Sequence, residues 1–139
     1  HAPCSVLVAR DLVAGQGHLV CVDGTPKSIE AAKQEAIIAS RFPEPNLSAI
    51  CVAPDETMVE EAKRVLIEIK NTLKKELNFD LNDTYVRVGN PVEEIVKVGK
   101  RYSAIVLGGS TKSTLQRMIA SSTPLDVMRT APNSVMIVR

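Results

Sequence analysis

The sequence contains few aromatic residues and no long apolar segment. It has no Trp, two Tyr and two Phe in 139 residues, which is too few for the stacking surfaces that bind single-stranded nucleic acid. Its formal net charge of +1 creates no field that would attract a polyanion. No apolar run reaches the roughly 18 residues of a membrane-spanning helix, and no signal peptide is recognisable. We therefore expect a cytoplasmic domain that contacts neither nucleic acid nor a membrane.

Cysteine and histidine are also scarce, and their spacing forms no metal-binding or catalytic motif. Cys4, Cys21 and Cys51 lie far apart in apolar, strand-like segments, which is typical of buried reduced thiols. The sequence has no Cys-x-x-Cys, His-Glu-x-x-His or Gly-x-Ser-x-Gly motif. A catalytic triad of His18, Asp23 and a serine is only weakly indicated, because no neighbouring residue orients the histidine. We expect no metal ion and no catalytic residue.

Apolar runs that suit strands alternate with segments of helical periodicity along the whole chain. The predicted strands are residues 19–22, 47–52, 84–88, 104–107 and 134–138. The first helix should begin at Pro26 and turn Ile29, Ala32, Ala36 and Ile37 inward. Each connection is long enough for a right-handed crossover between parallel strands. The length and this alternation together predict one α/β domain with helices on both faces of a parallel sheet.

The stretch from residue 104 to residue 123 has the composition of an anion-binding connection. An apolar strand ends at Gly108, a loop of small polar residues follows, and three hydroxyl residues at 121–123 precede Pro124. Proline favours the first turn of a helix, and free N–H groups at a helix start attract anions. Without a ligand, the same residues would form an ordinary polar connection. If the strand before Asp23 lies beside this one, the two strand ends frame one cleft.

The first ten residues repeat the last ten. Ala, Pro, Ser, Val and Arg recur at identical offsets in residues 1–10 and 130–139. The simplest explanation is that residues 1–10 are the last strand of a preceding domain and residues 11–17 a linker. We therefore divide the chain into residues 1–17, strand plus linker, and residues 18–139, the domain proper. The first residue is His rather than Met, so we expect a piece of a longer protein.

From about residue 17 to residue 139 the chain resembles a universal stress protein domain. The landmarks occur in order: Val22-Asp23-Gly24-Thr25, Gly89-Asn90-Pro91, Ile105-Val106-Leu107-Gly108, and Ala131-Pro132-x-Ser-Val-Met-Ile-Val at the end. The resemblance implies a Rossmann-like, adenine nucleotide alpha hydrolase-like fold with a five-stranded parallel sheet ordered 3-2-1-4-5. It also implies a tandem protein, of which this chain is the second domain with one extra strand from the preceding repeat.

Nucleotide-binding members of that family carry the motif G-x-x-G-x9-G-[S/T], which this chain keeps only in part. Gly108 and Ser122 match its ends, whereas Thr111 and Ser121 stand where two glycines belong. A Cβ at those two positions narrows the approach of a phosphate and disfavours left-handed backbone angles. The candidate cofactor-binding residues that the resemblance implies are Val22, Asp23, Val52 and Leu107 for adenosine, and Gly108, Thr111, Ser121, Ser122 and Thr123 for phosphate. Val52 and Leu107 also suit plain core positions.

The resemblance implies a non-catalytic regulatory domain of the stress response, with weak or absent nucleotide binding. ATP is the cofactor to test, and no metal is expected. One alternative is an ATP-binding protein with slow hydrolysis, although residues 109–123 contain no carboxylate. Another alternative is a cytosolic regulatory domain fused to a transporter.

The expected partner is a second copy of the fold, in a homodimer or a tandem domain, through the last strand. In the family's strand order residues 134–138 form an open apolar edge, and such edges tend to pair. We expect residues 5–9 to pair antiparallel with them, within one chain or exchanged between two. The linker of seven residues spans at most about 25 Å, which favours exchange and a dimer.

Overall fold

The structure is a computed structural model that describes residues 5–10, 16–108 and 123–138. Strands and helices alternate after the first two strands, as the apolar pattern predicts. The elements are β1 (Val6–Val8), β2 (His18–Cys21), α1 (Pro26–Ala39), β3 (Leu47–Ala53), a 3₁₀ turn (Glu56–Met58), α2 (Val59–Leu77), β4 (Thr84–Val88), α3 (Pro91–Gly99), β5 (Ala104–Gly108), α4 (Thr123–Thr130) and β6 (Ser134–Val138).

The described strands form one sheet of six strands in the order β1-β6-β5-β2-β3-β4. All neighbouring pairs from β2 to β6 are parallel, and only β1 is antiparallel to its neighbour β6. The sheet has six strands where five were predicted, so its order differs from 3-2-1-4-5 as stated, although β4-β3-β2-β5-β6 alone keep that order. The sheet gains a strand because the apolar edge of β6 is covered by β1 instead of remaining open.

The added strand lies where the open edge was expected to find a partner. Val6, Leu7 and Val8 pair with Ile137, Met136 and Val135, respectively. The structure shows this pairing within one chain. Exchange of the segment between two chains stays a prediction.

Helix α1 begins with a well-formed cap and packs through small side chains. Thr25 Oγ1 accepts a hydrogen bond from the Ser28 N–H at 3.2 Å, and Pro26 occupies the first helical position. The prediction that Ile37 faces the core is wrong, because this side chain is 43% exposed. The buried stripe instead contains Glu35 and small residues, which let the helix approach the sheet closely: Ser28, Ala31, Ala32, Ala36 and Ala39.

The core has two layers, one on each face of the sheet. Helices α1 and α2 cover one face, where a buried stripe of α2 that includes Val65 and Ile69 packs against the sheet. Helices α3 and α4 cover the other face, with Ile95 and Val127 buried there. The alternation of side chains along each strand therefore decides which helix pair a strand residue contacts.

The two described cysteines are free thiols at neighbouring strands. Cys21 packs against the layer formed by α3 and α4, whereas Cys51 belongs to the layer formed by α1 and α2. Burial raises the pKa of both thiols, that of Cys51 to about 12, and the Asp23 carboxylate adds to both shifts. These two residues agree with the expectation of reduced structural thiols. Cys4 lies outside the described residues.

We predict that the free energy of unfolding falls as the pH rises above about 9. The unfolded chain releases the Cys51 proton near pH 8.5–9, whereas the folded chain keeps it up to a pKa of about 12. By about pH 10 this group should cost about 1.5–2 kcal/mol of stability. Cys51→Val has no proton to lose, so its stability should decline less over the same range. Urea unfolding of both proteins at neutral and alkaline pH measures the difference; equal declines would contradict the prediction.

Candidate functional site

The candidate site lies where the strand order reverses. From β2 the chain adds β3 and β4 on one side, and it then crosses back to add β5 and β6 on the other side. The connections that follow β2 and β5 therefore leave the sheet in opposite directions and open a crevice between the carboxyl ends of these two strands. Ligands bind in such a crevice in open α/β sheets. Cys21 pairs with Leu107, so the next residues, Val22 and Gly108, lie side by side at this edge.

Asp23 is held in a tight turn directly after β2. Its Oδ1 accepts hydrogen bonds from the Thr25 N–H at 3.0 Å and from the Thr25 hydroxyl at 2.6 Å. Its own N–H donates to Ser28 Oγ at 3.2 Å, and Gly24 has a φ of +86°, which suits glycine. Oδ2 has no hydrogen-bond partner among the described residues. The carboxylate is thus fixed beside the start of α1, with one oxygen engaged locally.

The first turn of α1 lies directly against the end of β5. A Cβ added to Gly108 would stand 3.0 Å from the carbonyl carbon and oxygen of Lys27 and from the nitrogen of Ser28. These are backbone atoms that cannot rotate away. Gly108 therefore permits the start of α1, with its positive dipole end, to reach the reversal point.

A second turn reaches the same edge of the sheet from β4. The Gly89 N–H donates to the Ala53 carbonyl at 2.9 Å, which ties the turn to the end of β3. Asn90 then caps α3 by accepting a hydrogen bond from the Glu93 N–H at 3.1 Å. The sequence landmark at residues 89–91 is thus a structural turn at the carboxyl edge of the sheet.

The structure brings together only some of the predicted site residues. Val22, Val52 and Leu107 are all buried, but Val22 packs with α1 and α2, whereas the other two pack with α3 and α4. Asp23 and Gly108 lie at the reversal point. The backbone of Thr123 begins α4. Three predicted phosphate-side residues lie outside the described residues: Thr111, Ser121 and Ser122.

Sequence reasoning missed a contact between a histidine and a buried glutamate at the opposite edge of the sheet. His18 Nδ1 lies 2.6 Å from Oε2 of Glu35, a side chain that is only 1% exposed. The other oxygen, Oε1, is buried without a hydrogen-bond partner. The signal was present, since Glu35 falls within the alanine stripe of α1.

This contact also argues against the weakly indicated triad. His18 begins β2 and Asp23 follows its end, so about 16 Å of extended chain separates them. Glu35, not Asp23, contacts the histidine.

In the part of the chain that the structure describes, no group of three His, Cys, Asp or Glu side chains could hold a metal ion. The same residues include no helix that is long and apolar enough to cross a membrane.

Residues 18–139 match the sequence pattern of the universal stress protein family. The chain belongs to the universal stress protein family. The match covers the sheet from β2 onward and both turns at its carboxyl edge. No curated protein sequence matches the chain as a relative.

Solved structures of universal stress proteins share this fold. One, in complex with cAMP, is 22% identical with a TM-score of 0.69, and the match covers 89% of this chain and 96% of that chain. The Archaeoglobus fulgidus protein in complex with dAMP is 19% identical with a TM-score of 0.71, covering 88% and 97%. Another universal stress protein, from Archaeoglobus fulgidus DSM 4304, is 18% identical with a TM-score of 0.72. That match covers 97% of this chain but 49% of the other.

We predict that Gly108→Ala destabilises the domain by about 1–3 kcal/mol, because the new methyl group would press on the backbone of α1. The denaturant midpoint from urea unfolding measures the change. A change below about 0.5 kcal/mol would mean that the first turn of α1 moves aside freely, and the close contact between α1 and β5 would then have no structural importance.

Proposed function

We propose that this chain is a non-catalytic regulatory domain of the stress response that binds an adenine nucleotide weakly. The observation that carries the proposal is the Asp23 carboxylate, fixed at the reversal point with a single oxygen engaged by Thr25. A fixed carboxylate accepts hydrogen bonds from ribose hydroxyls in related α/β folds. The family membership and the two relatives in complex with cAMP and dAMP support an adenine nucleotide as the ligand.

The adenosine half of the site should contribute most of the affinity. Asp23 follows the end of β2, and Val52 and Leu107 lie near the ends of the neighbouring strands β3 and β5, whereas Val22 faces the opposite layer of the core. The phosphate half has Thr111 and Ser121 in place of glycines, which removes close backbone approach. We therefore propose that AMP, cAMP and ATP bind with similar, weak affinities.

ATP hydrolysis is not favoured, because residues 109–123 offer no carboxylate to orient water or hold Mg²⁺.

The proposed macromolecular partner is a second copy of the fold, paired through β6 in a homodimer or as a preceding domain. The repeat of residues 1–10 and 130–139 supports this proposal. The relative of which this chain covers 49% also supports it, because that chain has length for a second such domain. Cytoplasmic localisation stays a prediction.

We predict that Asp23→Asn weakens AMP binding about three- to tenfold, because a ribose hydroxyl loses a charge-assisted hydrogen bond. Asparagine retains an oxygen for the Thr25 N–H, so the start of α1 should be preserved. The matched control is Asp83→Asn, which removes the same charge from an exposed residue just before β4, at the opposite edge. Calorimetric titration with AMP measures both. Equal affinities for the two variants would refute the role of Asp23.

We also predict that Thr111→Gly combined with Ser121→Gly tightens ATP binding by about 1–2 kcal/mol, through recovered amide contacts to phosphate. Binding of AMP should change less, since it has fewer phosphate oxygens to contact. The same calorimetric titration compares the two nucleotides. Micromolar ATP binding by the unmodified chain would show that the replaced glycines are unimportant. An unchanged affinity in the double variant would show that the phosphate side is lost for other reasons.

A further inference from the structure

The hydrogen bonds around Asp23 form a closed ring with the first turn of α1. The Asp23 N–H donates to Ser28 Oγ at 3.2 Å, and the Ser28 hydroxyl donates to the Thr25 carbonyl at 2.9 Å. The Ser28 N–H donates to Thr25 Oγ1 at 3.2 Å, and the Thr25 hydroxyl lies 2.6 Å from Asp23 Oδ1. Thr25 and Ser28 are only 5% and 3% exposed, so little water competes for these groups. The ring therefore fixes the orientation of the Asp23 carboxylate.

The direction of each hydrogen bond to Asp23 Oδ1 is determined by its neighbours. A backbone N–H can only donate, so Thr25 Oγ1 accepts from Ser28 and its own proton is left for Asp23 Oδ1. The Thr25 N–H donates to the same oxygen at 3.0 Å. A carboxylate oxygen offers two lone-pair sites, so both sites of Oδ1 are filled. Only Oδ2 is left to accept a hydrogen bond from a ligand.

A single carboxylate oxygen cannot bind both hydroxyls of a ribose with good geometry. The two lone-pair directions of such an oxygen diverge by about 120°, so donors placed along them at about 2.7 Å stand about 4.7 Å apart. The vicinal hydroxyl oxygens of a ribose are only about 3 Å apart, and they match a carboxylate that accepts one hydroxyl on each oxygen. That paired arrangement is closed to Asp23, because Thr25 occupies Oδ1.

We propose that Asp23 binds one ribose hydroxyl at a time, either the 2′ or the 3′ hydroxyl, because Thr25 keeps the second carboxylate oxygen occupied. This inference rests on the proposed binding of an adenine nucleotide at the reversal point. The ligand class is a nucleotide with at least one free ribose hydroxyl, and it includes both 2′-deoxy and 3′-deoxy nucleotides. Thr25 is a positioning residue in this site, since it acts through Asp23.

The test titrates the full chain by calorimetry with AMP, 2′-deoxy-AMP, 3′-deoxy-AMP and 2′,3′-dideoxy-AMP. Either deoxy nucleotide should bind within about twofold of AMP, which is the statistical factor for two equivalent hydroxyls. Dideoxy-AMP should bind about three- to tenfold more weakly, because it offers no donor to Oδ2. A stepwise loss, in which each missing hydroxyl weakens binding about threefold or more, would overturn the inference and leave the proposed function intact.

Variants of Asp23 locate the hydroxyl sensitivity at the carboxylate. In Asp23→Ala, which removes both oxygens, AMP and dideoxy-AMP should bind equally. The matched control Asp83→Ala removes an exposed carboxylate just before β4, at the opposite edge of the sheet, and should keep the difference between the two nucleotides. Far-UV circular dichroism verifies that each variant is folded.

Variants of Thr25 test its role as a positioning residue. Thr25→Val removes the hydroxyl but keeps the branched shape, so the carboxylate can turn both oxygens toward the ribose. AMP should then bind at least about threefold more tightly than either deoxy nucleotide. Thr25→Ser keeps a hydroxyl and should bind all three within about twofold, as the unmodified chain does. A general loss of stability weakens all nucleotides alike and leaves these affinity ratios unchanged.

Failure of the inference and failure of the proposed function give different results. An unchanged affinity ratio in Thr25→Val would overturn the role of Thr25, while single-hydroxyl binding would stand on the ligand series with the unmodified chain. Dideoxy-AMP that binds as well as AMP to the unmodified chain would overturn the inference together with the role of Asp23. If none of the four nucleotides binds, the proposed function is wrong and the inference falls with it.

Discussion

The parallel pairing of β2 with β5 is the constraint on which the rest of the structure depends. It places the first strand of the domain inside the sheet and forces the chain to cross over in opposite directions on its two sides. The helices are thereby divided into two pairs, one on each face. The same pairing sets Val22 beside Gly108. It thereby opens the crevice at the carboxyl ends of the strands in which ligands bind in open α/β sheets. Close contact between α1 and β5 completes that crevice, and it requires a residue without a side chain.

Much of the fold could be predicted from the sequence because local patterns determine it. Apolar runs gave each strand from β2 to β6 to within a residue or two, and capping residues such as Thr25 and Asn90 marked the helix starts. The pairing of residues 5–9 with β6 was expected from the repeat of residues 1–10 and 130–139, and the pairing of β1 with β6 agrees with it. The contacts that hold β1 there, such as Arg10 with Met128, join residues more than one hundred positions apart and could not be predicted from local patterns.

The candidate site shows the same division between local and tertiary information. Asp23 was identified because a carboxylate after a buried strand is a local signal, and the structure places it at the reversal point. Val22 and Leu107 lie on opposite faces of the sheet because side chains alternate along each strand. Alternation alone does not tell which helix pair each side chain contacts, because that depends on how neighbouring strands pair. Glu35 was overlooked because a charged residue in a helix usually faces solvent, and its acceptance in the core depends on His18 from another element.

The brevity of β1 has a consequence for the colloidal behaviour of the protein. A sheet of parallel strands with an open side is a template on which further chains could add without limit. Here the outermost strand on that side has three residues and runs against the direction of its neighbour. It presents few unsatisfied backbone groups to solvent, too few to hold an additional strand by itself. The short segment therefore prevents further strands from adding to the sheet on this side.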